Sequence, residues 1–303
     1  MRLVILDEGS INVNDLSWAP IEAIGKLKIY ETTEPDEIVE HIGNAEGVFV
    51  NKCKLSREIM EACPNIKFIS ITATGYDNVD TVAAKDLGIA VCNVPAYSTE
   101  AVAQHTIALL LYLTNHVAAH NEAIQRGEWY TSKDFAFLVK PLTLLEGKSL
   151  GIIGYGNIGK RVADIAEALG MKVNIYSRNK EAAIQSDFLS LHCPATPENA
   201  GFINKEFIGS MKDGAVLINT ARGALINEAD LAEALKSGKL AAAALDVISK
   251  EPPTEPHPLI GLDNCILTPH ISWMPRETRQ KLIEISAKNL QSFIDGKNLN
   301  RID

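Results

Sequence analysis

Residues 149–177, SLGIIGYGNIGKRVADIAEALGMKVNIYS, leave a chain few folds to choose from. SLGII is a short apolar run of strand type. It breaks at Gly154-Tyr155-Gly156-Asn157-Ile158-Gly159, an amphipathic stretch covers Ile158–Leu169, and a second apolar run, KVNIYS, follows. Strand, tight turn, helix and second strand make a βαβ unit, which commits the chain to a parallel sheet with helices on its faces. Each glycine has its own mechanical reason. Gly154 allows the tight strand-to-helix turn, Gly156 lets the backbone approach a pyrophosphate, and Gly159 lets helix and strand pack closely. The free N–H groups of the helix N-terminus would then face phosphate oxygens. The implied ligand is a dinucleotide.

The rest of the chain has the same grammar. LVIL (3–6), KIYE (28–31), GVFV (47–50), FISI (68–71) and AVCN (90–93) read as strands, and amphipathic stretches such as Pro35–Gly43 and Ser56–Ala62 lie between them. Ser98–Asn115 reads as a long helix with an apolar face, Ser98 as its N-cap, carrying the chain from one domain to the next. A second series follows: SLGIIG, KVNIYS, FLSLHC, GAVLINT, AAAALDV and NCILTPH. A helix over Glu277–Asp295 closes the chain. The expected class is α/β, with two Rossmann-like domains built on doubly wound parallel sheets. A flavodoxin-like substrate domain, 1–97 with 284–303, would hold an inserted dinucleotide-binding domain, 98–283.

Charge and cysteine usage exclude several roles. The net charge of −9 comes without any Lys/Arg block, so nucleic acid is not an expected partner. An anionic substrate would need local cations to capture it. The start, MRLVILDEG, is a buried strand and not a secretory signal. The most apolar window, Ile107–Leu113, is too short to span a bilayer, so no membrane partner is expected. Five cysteines (53, 63, 92, 193, 265) are scattered with no CxxC pair. They suit a reducing, cytoplasmic setting. No metal is expected.

Two features depart from the simplest dinucleotide unit. An acidic residue normally ends the second strand and holds the adenosine ribose 2′-OH. Here Ser177 and Arg178 stand there, Lys180 is near, and no acid occurs from Lys172 to Lys180. A hydroxyl and a guanidinium suit a 2′-phosphate, so NADP(H) is favoured and NAD(H) remains an alternative. The second feature is the link from KVNIYS to FLSLHC, which is about eight residues where a parallel crossover usually takes a dozen or more. Either the sheet lacks a strand and helix or a segment is missing; EAAIQSD looks like a helix tail and favours the missing segment.

In open α/β sheets, ligands gather at the carboxyl ends of the strands. GAVLINTA runs into Arg222, AAAALDV runs on to Glu251, and NCILTP delivers His270. These types belong together in carbonyl reduction. Hydride transfer builds negative charge on the carbonyl oxygen, and histidine can protonate it near neutral pH. A carboxylate behind the ring fixes its tautomer, and an arginine can anchor a substrate carboxylate and polarise the ketone.

GIIGYGNIGKRVA, LHCPATPENAGFIN, MKDGAVLINTARGALINEADLAEAL, ALDVISKEPP and NCILTPHISW together resemble the D-isomer-specific 2-hydroxyacid dehydrogenases over nearly the whole chain. DLSWAPIEAIG, VFVNKCKLS, ITATGYDNVD, NVPAYSTEAVAQHTIALLL and GEWYTSKDFAF resemble the glycerate dehydrogenase/hydroxypyruvate reductase branch. The resemblance implies catalytic roles for Arg222, Glu251 and His270. It implies cofactor contacts at Cys193, Pro194, Thr220 and Asp246, the last with the nicotinamide carboxamide, and places Val102 and Gln104 near the cofactor. Backbone N–H groups at Ala73-Thr74-Gly75 would take the substrate carboxylate, with Lys52 adding positive charge. It further implies a homodimer and hinges near Pro95–Ser98 and Trp273–Glu277. Glu251 is a carboxylate where formate-oxidising relatives carry an amide, so formate is not the expected substrate. The implied reaction is reduction of a small 2-keto acid, hydroxypyruvate first and glyoxylate second, to the D-2-hydroxy acid. Phosphite oxidation and a non-enzymatic NAD(H)-sensing, partner-binding role are the alternatives.

Overall fold

The computed structural model describes residues Met1–Asp303. The chain divides into two compact units, Met1–Ser98 with Trp273–Asp303, and Thr99–Ser272.

The first unit alternates strand and helix: β1 (Arg2–Ile5), α1 (Ala19–Glu22), β2 (Lys26–Ile29), α2 (Ile38–Ile42), β3 (Gly47–Val50), α3 (Arg57–Ala62), β4 (Phe68–Ile71), α4 (Thr81–Asp86) and β5 (Ala90–Cys92). The strands lie in the order β2-β1-β3-β4-β5, all parallel, with Val4 opposite Val48, Val48 opposite Ile69 and Ile69 opposite Val91. This is the flavodoxin-type order. The period of two sorts the side chains. Val4, Val48, Val50, Ile69, Ile71 and Val91 pack on one face with Ile38, Ile42, Met60 and Ala83. Leu3, Ile5, Phe49, Phe68 and Ala90 pack on the other with Trp18 and Ile21. Strands buried on both faces are therefore almost wholly apolar, buried Ser70 on β4 aside. The edge strand β2 is the exception: its two lysines, Lys26 and Lys28, are exposed and discourage pairing with another chain.

The second unit begins with α5 (Thr99–Asn115) and α6 (Val117–Gln125). It continues through β6 (Ser149–Ile153), α7 (Asn157–Ala168), β7 (Lys172–Ile175), α8 (Lys180–Ile184), β8 (Phe188–Leu191), α9 (Lys205–Ser210), β9 (Ala215–Asn219), α10 (Glu228–Ser237), β10 (Leu240–Leu245) and β11 (Cys265–Leu267). Six parallel strands lie in the order β11-β10-β9-β8-β6-β7. The direction of winding reverses at β6, which puts the glycine turn at a topological switch point. One face buries Leu150, Ile152, Phe188 and Ile218 against α5 and α7; the other buries Ile153, Leu189, Leu191, Leu217 and Leu245 beneath α9 and α10. A last helix, α11 (Arg276–Ile294), returns to the first unit, where Leu282, Ile283 and Leu290 join Leu3, Phe49 and Phe68. Because α11 packs there along its length, the return falls at Trp273 and not at residue 284.

In the structure the short crossover from β7 to β8 is closed by α8. β7 and β8 flank β6, and α8 bridges them within the available residues. Gly151 makes this possible: a Cβ there would lie 2.2 Å from the Ala183 carbonyl oxygen, so the bare glycine lets α8 settle directly on β6. Asn179 caps α8 by accepting from the Ala182 N–H at 3.1 Å. Asn174 Nδ2 donates to the Ala182 carbonyl at 3.2 Å and to Ser186 Oγ at 3.0 Å, pinning β7 to the same link.

No helix is long and apolar enough to cross a membrane.

Candidate active site

The glycine turn follows from steric necessity. A Cβ on Gly154 (φ +98°) would meet the Cys193 nitrogen and the His192 carbonyl carbon, each at 2.4 Å, and one on Gly159 would meet the Gly154 oxygen at 2.1 Å. Gly156 differs: nothing lies within 4 Å of where its Cβ would be. Gly156 is the N-cap of α7 and no side chain caps that end. An open glycine before an uncapped helix start is a cradle that fits a pyrophosphate. Tyr155, Asn157 and Ile158 share this turn, and the Cys193 nitrogen lies against it, with Pro194 next in the chain.

Cations surround the adjoining strand end. The Arg178 guanidinium lies 5.1 Å from the centre of the Tyr155 ring, and Lys160 Nζ lies 6.0 Å from it. Lys180 Nζ sits 5.7 Å from the Tyr176 ring. Ser177 and Arg178 are exposed. Stacking on an aromatic face restrains a side chain that would otherwise sweep through solvent, at about 0.5–1 kcal/mol for an exposed pair.

His192 follows β8 directly, beside this turn. Its Nε2 is 2.9 Å from Ser190 Oγ, while its Nδ1 is buried without a hydrogen-bond partner. Burial lowers its pKa from 6.5 to about 4. The folded protein therefore refuses a proton that the unfolded chain accepts. The stability difference is absent above pH 6.5 and grows as pH falls toward 4. It should reach about 2 kcal/mol near pH 5. Denaturant unfolding of wild type and His192→Gln at pH 7.5 and pH 5 checks this: the variant should lose less stability on acidification, and equal losses would exclude the effect.

All three polar strand ends lie in the second unit, and Glu251 and His270 meet there. His270 Nδ1 lies 2.6 Å from Glu251 Oε2, and the Ile248 N–H donates to the other oxygen, Oε1, at 3.0 Å. A carboxylate can only accept, so Nδ1 carries the proton and Nε2 is left for another partner. His270 adopts φ +55°, an uncommon conformation for a residue with a side chain. Its surroundings fix it there. The His270 N–H donates to the Asp246 carbonyl at 2.8 Å and to the Thr268 carbonyl at 3.0 Å. Asp246 Oδ1 accepts from Thr268 Oγ1 at 2.5 Å and from the Ile271 N–H at 2.9 Å, and Oδ2 accepts from the Ser272 N–H at 2.9 Å. Buried Asp246 therefore organises the histidine turn, and three of the roughly four acceptor positions of its carboxylate are occupied.

Arg222 leaves β9 in extended conformation, φ −147° and ψ 136°. Its carbonyl accepts from Asn219 Nδ2 at 2.9 Å, and its Nη1 donates to the Ala221 carbonyl at 2.8 Å. Gly223 follows because a Cβ there would meet the Ile248 carbonyl carbon at 1.9 Å. The arginine turn is thereby pressed against the loop that holds Glu251. Thr220 is buried, 2.9 Å from Thr106 Oγ1 on α5. Sequence reasoning missed Thr106, and also His105, whose Nε2 is 3.1 Å from Thr268 Oγ1. The available signal was a polar pair at the start of an apolar helix.

Lys52, Thr74 and Gly75 belong to the first unit, beyond the carboxyl ends of β3 and β4. Asp7, also missed, accepts from the backbone N–H groups of Asn51 (2.9 Å), Lys52 (2.5 Å) and Cys53 (3.0 Å) and so shapes the lysine loop. Thr74 Oγ1 is spent on the Val94 carbonyl at 2.9 Å, which leaves the loop backbone as its other polar resource.

Residues 107–272 match the family model described as D-isomer specific 2-hydroxyacid dehydrogenase, NAD binding domain. A hydroxypyruvate reductase of Blautia hydrogenotrophica is 45% identical, with both chains covered completely. A glycerate dehydrogenase of Methylorubrum extorquens is 37% identical, over 100% of this chain and 99% of its own. Among solved structures, an acyclic imino acid reductase (Bsp5) in complex with NADPH and D-Arg superposes with a TM-score of 0.85 at 28% identity, covering 100% of both chains.

Proposed function

The chain belongs to the D-isomer specific 2-hydroxyacid dehydrogenase family, and from that premise we propose that it reduces hydroxypyruvate to D-glycerate with NADPH. It is a nicotinamide-dependent oxidoreductase, and glyoxylate is the second substrate in rank. The observation that carries the reading is the 2.6 Å contact between His270 Nδ1 and Glu251 Oε2. Bound reduced nicotinamide supplies a hydride. The keto acid gains that hydride at C2, its carbonyl π electrons move to oxygen, and the oxygen takes a proton from His270 Nε2. Glu251 accepts from Nδ1–H and so favours the imidazolium, whose Nε2–H is the proton given to the substrate oxygen. The Arg222 guanidinium pairs with the substrate carboxylate and polarises the ketone. On the first unit, backbone N–H groups at Ala73–Gly75 and the Lys52 ammonium are that unit's own candidates for a substrate carboxylate. Thr220 and Asp246 border the nicotinamide, with the last free acceptor position of Asp246 available to the carboxamide.

The preference for NADPH rests on Ser177, on Arg178 steadied by Tyr155, and on the nearby Lys160 and Lys180. Charged hydrogen bonds to a 2′-phosphate predict a roughly ten- to hundredfold preference over NADH. Initial rates with both cofactors and hydroxypyruvate, glyoxylate or pyruvate test both halves. Activity confined to NADH would remove the role of Arg178 and leave the triad intact; absence of turnover with every pair would remove the substrate reading.

The working assembly on this reading is a homodimer formed through the second unit. Tyr130 and Phe135 are 94% and 93% exposed there, a large apolar area for water to face. Sedimentation at micromolar concentration should give twice the chain mass, and a monomer would rule this contact out.

A further inference from the structure

A half-buried acid–base cluster outside the triad is unaccounted for by the chemistry above. Glu228, in the first turn of α10, directs both oxygens at the loop that bears Glu251. Its Oε1 accepts from the Ser249 N–H at 2.7 Å, and its Oε2 accepts from Ser249 Oγ at 2.6 Å. His257 Nε2 lies 3.0 Å from the same Oε2. The His257 and Glu228 side chains are only 9% and 12% exposed. His257 Nδ1 faces the Leu259 N–H at 3.4 Å, so the ring donates through Nε2 and accepts through Nδ1.

The position of these partners matters. Ser249 and His257 bracket Glu251 in sequence, so Glu228 gathers the loop from both sides of the residue that orients His270. Arg222, Gly223 and Glu228 lie on one short segment. Gly223 presses on the Ile248-Ser249 peptide, where a Cβ would come within 2.4 Å of the Ser249 nitrogen, and Glu228 bonds the same Ser249 N–H. The Ile248 N–H in turn donates to Glu251 Oε1 at 3.0 Å. A continuous chain of contacts thus runs from Glu228 through Ser249 and Ile248 to Glu251 and His270. A carboxylate drawn largely out of water is costly unless its acceptor positions are used, and Glu228 has three donors on it.

We propose that Glu228, with Ser249 and His257, is a positioning group that sets Glu251, and through it His270, for proton delivery. This rests on the reading of Glu251–His270 as the proton-donating pair. Displacing a catalytic group by about 1 Å can cost on the order of a hundredfold in rate.

The experiment is a double-mutant cycle between Glu228→Gln and Glu251→Gln, read as kcat, KM and NADPH dissociation constant on the full-length protein. Glu228→Gln is expected to lower kcat with hydroxypyruvate by roughly ten- to a hundredfold, with the NADPH dissociation constant unchanged. In the Glu251→Gln background the same substitution should change kcat less than twofold, because the group it positions is already gone. Full additivity, or a wild-type kcat in Glu228→Gln, would overturn the proposal. Should Glu228→Gln fold poorly, Ser249→Ala removes a single donor and is expected to lower kcat severalfold, again only when Glu251 is present; an unchanged kcat there would also overturn it. A wild-type rate for Glu251→Gln alone would instead overturn the assignment of Glu251, a distinguishable result.

Discussion

His270→Gln is expected to reduce turnover of hydroxypyruvate by roughly 10²–10⁴-fold, the usual range for loss of a general acid. Glutamine can still bond Glu251 but cannot release a proton from the far side of an imidazole. The backbone should tolerate the change because the turn is held by groups other than the imidazole. The residue 270 N–H is bonded to two carbonyls, and Asp246 ties down Ile271 and Ser272. Binding of NADPH, followed by fluorescence titration, should be retained, since the glycine turn and Arg178 lie on other strands. Loss of rate with intact cofactor binding places the defect in the chemical step. A turnover number within threefold of wild type would remove His270 from that step.

Arg222→Lys should lower kcat/KM for hydroxypyruvate by roughly 10²–10³-fold, comparable with loss of a donor aimed at a developing oxyanion. Lysine keeps the charge but not the planar fork that engages a carboxylate through two parallel bonds. One arm of the fork is already committed, with Nη1 on the Ala221 carbonyl, and that contact sets the plane of the remainder. A flexible ammonium has no equivalent constraint. Steady-state kinetics with hydroxypyruvate and with glyoxylate check the result, and both substrates should suffer because both carry the carboxylate. A loss confined to one of them would mean that Arg222 reads the substrate's third carbon and not its acid group.

Much of the site was legible in the sequence because it depends on local rules. The glycine spacing declares itself through steric limits that no other residue satisfies: Gly154 and Gly159 have no room for a Cβ, and Gly156 must leave room for a ligand. Arg222, Glu251 and His270 stand out as candidates because strand runs end visibly and open sheets bind at those ends. Asp7, Thr106 and Glu228 could not. Each is an ordinary polar residue in its own stretch, and each acquires meaning only from partners dozens of residues away or, for Glu228, on a separate loop.

The same division explains the crossover. In the structure α8 fills the link from β7 to β8. Gly151 lies more than thirty residues from Ala183, yet its missing side chain decides how closely α8 approaches. Asp246 illustrates the point on the chemical side. Its place after an apolar strand marks it as a site residue, but only the folded chain shows its carboxylate turned toward the histidine turn. Sequence alone determined the two parallel-sheet units, the dinucleotide turn and the types of chemistry at three strand ends, because periodicity and backbone sterics act over a few residues. Tertiary structure decided which groups are braced, because a buried acceptor must find donors wherever the fold brings them.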